Sequence, residues 1–247
     1  NENVSGTTTT KELHVTDSST IDNNQTVKGD QTVGGTTNTT NLNVSGDTNL
    51  HNTTITGDSH VTNNQTVDGS STIKGDSNVG GNETVSGITT TKELHVTDSA
   101  TIDKNLTVKG DSSTTGNQTV GGNSETKGNS TTDGSSTVKG DQSVGGTTNT
   151  TNLSVSGDTN LHNTTITGDS HVTNNQTVDG SSTVKGNSNV GGNENVSGTT
   201  TTKELHVTDS STIDKNLTVK GDSSTTGNQT VGGNSETKGN STTDGSS

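Results

Sequence analysis

The chain has no cysteine, proline, methionine or aromatic residue, and only 16% of its 247 residues are hydrophobic. Without cysteine no disulfide can brace it, and no redox compartment is indicated. Without proline, and without glycine at every third position, a collagen triple helix is excluded. No long apolar run or leader segment is visible, so no membrane insertion is expected. So little apolar bulk excludes one large globular domain with a conventional core. The formal net charge of −14 argues against nucleic acid or an anionic membrane as a partner. Low hydrophobicity with high net charge is also the compositional mark of disorder, because too little burial offsets the entropy of ordering the backbone.

Periodicity opposes that reading. Glycine recurs every sixth residue through Gly110, Gly116, Gly122, Gly128, Gly134, Gly140 and Gly146. Labelling hexads a to f on Asn24-Gln25-Thr26-Val27-Lys28-Gly29, position d reads Val15, Ile21, Val27, Val33, then Val61, Val67, Ile73, Val79, Val85, and later Val172, Val178, Val184, Val190, Val196. These residues are the expected structural core. Thr114, Thr126 and Thr132 stand at d in the most polar stretch. Thr-Val and Thr-Ile pairs favour strands, and glycine at f (Gly29, Gly35, Gly69, Gly75 and the series above) suits a corner with positive φ or a crowded backbone. Side chains alternate along a strand, which puts b, d and f inside and a, c and e outside. Lys28, Lys74, Lys109, Lys139 and Lys185 at e, and Asp30, Asp76, Asp111 and Asp141 at a, agree with that assignment. Leu13, Leu42, Leu94, Leu106, Leu153, Leu205 and Leu217 fall at b and thicken the interior.

Strand–corner units with a constant step predict an all-β fold, a hexapeptide-repeat triangular β-helix or β-solenoid. No 3.6-residue apolar stripe supports helices. Two arrangements fit a triangle. One is the single-chain coil of the hexapeptide acyltransferases, but the position four after the aliphatic residue, b, here holds Gln25, Gln31, Gln65 or Gln118 as readily as serine. The other rests on the repeated units Val27-Lys28-Gly29, Val33-Gly34-Gly35, Val44-Ser45-Gly46, Ile55-Thr56-Gly57 and Val67-Asp68-Gly69. These resemble the intertwined, threefold β-helix shaft of phage tail fibres and tail spikes, over almost the whole chain. The resemblance implies a fibrous homotrimer in which each chain supplies one face of every rung. Runs one residue short, such as Val33 to Val44, Leu50 to Ile55 and Val85 to Val96, favour three chains, since symmetry repeats the lost residue on every face. Strands should then pair between chains, giving a shaft on the order of 200 Å, against roughly 65 Å for a single-chain coil.

A longer repeat overlies the hexads. Thr91–Ser136 recurs as Thr202–Ser247, and the two copies differ only at Ala100 against Ser211. An earlier copy begins at Thr10 and lacks Asp111–Gly140, which is five hexads. Residues 1–247 are therefore expected to be one continuous repeat shaft, a window of a longer fibre.

No chemistry stands out against this background. The histidines (His14, His51, His60, His95, His162, His171, His206) form no His-x-His pair, and no metal, cofactor or catalytic residue is expected. Ser, Asp and His are so frequent that triad look-alikes arise freely, and triads are recognised by geometry. The expected function is structural, a virion fibre or spike shaft that positions a receptor-binding tip for host attachment. Its partners would be its own homotrimer mates and other fibre or baseplate proteins at ends outside this segment. The alternatives are the stalk of a bacterial surface adhesin and, lower, an ice-binding β-solenoid suggested by outward Thr26, Thr32, Thr66 and Thr72.

Overall fold

A computed structural model describes all residues 1–247. It has no helix. Its strands are mostly three residues long, as at Ser59–Val61, Gln65–Val67 and Ser71–Ile73, with bends between them. Each of these spans runs from b to d of one hexad. The chain forms two compact units, Asn1–Gly122 and Asn123–Ser247. Within each, the pairing is parallel and joins a hexad to the hexad three further along, as Val61 to Val79 and Val79 to Val96, or Val172 to Val190 and Val190 to Val207. Three faces therefore rise together around one interior, the architecture of a parallel β-solenoid. One coil closes between Glu2 and Ser19, or between Leu13 and Gln31, so each unit holds about seven coils.

The interior is the one the alternation predicts. Val27, Val44, Val61, Val67, Val85, Val172 and Val178 have no exposed surface, and the remaining expected core residues are also buried. Leu42, Leu94, Leu106, Leu153, Leu205 and Leu217 lie inside, while Leu13 in the first coil is half-buried. Thr114, Thr126 and Thr132 take d positions inside, as valine does elsewhere. The lysines at e are exposed.

The corner glycines act through crowding. No glycine has a positive φ. At Gly75 a Cβ would overlap the Gly57 carbonyl and the Asp58 carboxylate of the coil beneath, while the Gly75 N–H donates to that same carbonyl at 3.0 Å. Gly29, Gly35, Gly69, Gly110, Gly116 and Gly122 are packed against the coil beneath in the same manner. Gly128, Gly134 and Gly140 are half-buried.

The ladder runs within a single chain, joining Glu2 to Ser19, Leu13 to Gln31 and Thr36 to Asn52. Two physical features make this possible. First, the glutamines at b are held inside the single-chain coil: Gln25, Gln31, Gln65 and Gln118 are all buried, the amides of Gln25 and Gln31 without a partner. Second, the short hexads do not skew the triangle, because a corner absorbs the missing residue. Where Thr91 precedes a short hexad, its hydroxyl donates to the Glu93 carbonyl at 2.8 Å and to the Gly75 carbonyl below at 3.1 Å. Thr39, Thr150 and Thr202 repeat this pair of bonds at their own short corners. The hydroxyl adds a bond across the shortened turn, and the same local register shift occurs at Leu50 and Leu161, which carry no hydroxyl.

Candidate functional site

The outward surface is an array whose most regular parts are at the corners. In the first unit Asp30 Oδ1 accepts the backbone N–H of Asp47, whose Oδ1 accepts from Asn64, then Asn64 from Asn82, Asn82 from Ser99, and Ser99 Oγ from Asn117, at 2.9 to 3.2 Å. In the second unit the same ladder climbs through Asn123, Asp141, Asp158, Asn175, Asn193, Ser210, Asn228 and Ser246. Every member sits at hexad position a. Asn, Asp and Ser have side chains short enough to reach a neighbouring backbone N–H, here that of the next coil. Since strands begin at b, these N–H groups fall where the sheet ladder is interrupted, and the side chains close the gap.

Two shallow depressions on this surface lie at equivalent places. A groove of about 290 Å³ is lined by Thr20, Asp22, Asn38, Thr39 and Thr54. Its counterpart at 111 residues' offset, about 160 Å³, is lined by Thr131, Asp133, Asn149, Thr150 and Thr165. Threonine hydroxyls here donate to backbone carbonyls, Thr40 to Asp22 at 2.6 Å and Thr151 to Asp133, so these two hydroxyls are committed to the wall. All seven histidines are exposed. The register brings His60, Asn78 and His95 onto successive rungs of one face, and His171, Asn189 and His206 likewise. No group of three or more His, Asp or Glu side chains is placed to hold a metal ion.

The interior holds the one chemically unusual feature, which the sequence reading did not single out. Glu83 and Glu194 occupy b positions with no exposed surface. Burial pushes both carboxyls up to about 7. The cause is desolvation, which disfavours the charged form. Gln65, one coil below, donates through Nε2 to Glu83 Oε1 at 3.5 Å, the weak limit of such a bond, and Glu83 Oε2 has no partner. Around Glu194 the next coil supplies Ser211, whose hydroxyl donates to Oε2 at 3.2 Å. The corresponding neighbour of Glu83 is Ala100, which has nothing to donate. The signal was legible: a glutamate stands where the hexad demands an inward side chain.

The fold and surface define a parallel β-solenoid. The chain matches no protein-family model, no curated protein and no solved structure.

Proposed function

We propose that the chain is a structural spacer in an extracellular fibre, in a virion tail fibre or spike, holding a receptor-binding element at fixed reach. The observation that carries this reading is the corner ladder. Side chains that could have built a binding surface are spent, coil after coil, on tying each turn to the next. Strands in the coil interior leave no lateral edge for pairing, and backbone groups are taken up by the neighbouring coil, which favours stiffness and resists edge-to-edge aggregation. Each unit of about seven coils would contribute roughly 34 Å of reach at the spacing of adjacent strands. The stalk of a bacterial surface adhesin uses the same physics. Electron microscopy of the purified chain should show narrow particles of uniform width, and globular particles would overturn the proposal. The fibre and adhesin forms separate by co-purification, with tail components in the first case and with the cell envelope in the second.

A further inference from the structure

We infer that Glu83 and Glu194 are a matched pair of pH-sensitive points in the interior, each loosening the coils around it as its carboxyl ionises, with Ser211 in place of Ala100 making the second point the less sensitive. This goes beyond the spacer reading and does not depend on it. Both carboxyls are fully enclosed, and no other ionisable side chain shares the interior of either unit. Facing Glu83 are Gln65 below and Ala100 above, with Ser77, Val79, Thr89 and Thr91 inward on the flanking strands. Facing Glu194 are Gln176, Ser211, Ser188, Val190, Thr200 and Thr202. Titratable groups on these same elements, Asp76 beside Glu83, and Lys185, Lys203, Glu204 and His206 beside Glu194, are not among the enclosed residues, so none supplies an internal counter-charge.

An enclosed carboxyl without a cation is best kept neutral, and ionising it either draws in water or opens the wall. The folded carboxyls hold their proton up to about 7, whereas in the unfolded chain they lose it near the ordinary value of 4.5. A raised folded value gives stability that is complete below the unfolded one and is lost as pH rises through the folded one. Coils around the two glutamates are therefore tightest in acid and loosen between about pH 4.5 and 7. The Ser211 hydroxyl donates to the Glu194 carboxylate and so favours its ionised form, pulling against desolvation. Ala100 offers no such bond. The long repeat thus carries a small chemical difference at the place where it changes the titration of a buried group.

The test is hydrogen exchange on the full chain from pH 5 to 9, corrected for intrinsic exchange, comparing residues 77–102 with 188–213. Opening around Glu83 should rise on the order of 100-fold across this range, and opening around Glu194 should rise less, in the direction that the Ser211 bond sets. Glu83→Gln should flatten the first profile. Ala100→Ser should move it towards the second, and Ser211→Ala should do the reverse. If Glu83→Gln does not fold, the Ala100→Ser and Ser211→Ala exchanges still read the same contacts with both carboxyls in place. Profiles that are flat in the wild type, or unaltered by these exchanges, would overturn the inference.

Discussion

The stretch Gln31–Ser136 and the stretch Gln142–Ser247 are the same solenoid written twice, differing at Thr32/Ser143, Asn43/Ser154, Ile73/Val184, Asp76/Asn187, Thr84/Asn195, Ile88/Thr199 and Ala100/Ser211. Five of these pairs are outward and change little of the packing. Ile88 is even the one large exposed hydrophobic residue, and Thr199 takes its place in the second copy. Asp76 pairs with Lys92 at 3.2 Å on the surface, where Asn187 in the second copy has no charge to offer. Inward, Ile73 loses one methylene to become Val184, and Ala100 becomes Ser211 against the buried glutamate. The comparison teaches that the outer wall tolerates exchange because its structure rests on backbone and short polar side chains. The interior is where one atom alters the chemistry.

The comparison can be broken by treating both copies alike. Leu94→Ala and Leu205→Ala each remove a fully buried side chain. Both should cost about 2–5 kcal/mol, and a calorimetric or denaturant measurement should find them equal. A large inequality would mean that the copies pack differently although the strand partners, Ser77 and Ser112 or Ser188 and Ser223, are the same. Next in size, Glu83→Gln should stabilise the chain at pH 8 by about 1–3 kcal/mol and leave it nearly unchanged at pH 4, because the neutral amide removes the cost of an enclosed anion. Glu194→Gln should gain less, since the Ser211 hydroxyl already eases the enclosed anion there.

How much of this was legible depends on which level of structure is asked about. Alternation at Val61, Val67 and Ile73, with lysines outside and leucines at b, is a local property of the strand, so the inward face could be read directly. The partner of each strand was not legible in the same way. A hexad makes the same short strand and corner whether its neighbour comes from the same chain or from another. The short hexads pointed to three chains because a lost residue looks like a skewed face. Only the geometry shows Thr91 filling that corner with its hydroxyl. Glutamine at b departs from the acyltransferase pattern, and where it goes needs the coil: Gln25 and Gln31 lie enclosed in its interior. The corner ladder at position a was visible as composition, an excess of Asn and Asp. Its bonds, such as Asp30 to Asp47 and Asn64 to Asn82, join successive coils and need the coil to be known first.

Smaller effects sharpen the picture. Thr91→Val and Thr202→Val keep shape but remove two hydroxyl bonds at a short corner, and each should cost about 1 kcal/mol by chemical denaturation. The same change at Thr114, whose enclosed hydroxyl has no partner, should be neutral or stabilising. Asp76→Asn makes the first copy resemble the second and should leave the melting temperature unchanged, since an exposed pair contributes little.

The central claim is that each coil pairs with the next coil of its own chain. Thr66 and Thr84 are direct partners on adjacent rungs of one face. Adjacent strands at about 4.8 Å lie within the Cα separations that a disulfide spans. In a chain without cysteine, the double variant Thr66→Cys/Thr84→Cys introduces the only thiols. Oxidised in the folded state and then run denatured without reductant, it should migrate as a monomer with a closed loop, confirmed by mass spectrometry of the cross-linked peptide. Disulfide-linked dimers and trimers at high dilution, with no closed monomer, would contradict the single-chain coil and restore pairing between chains.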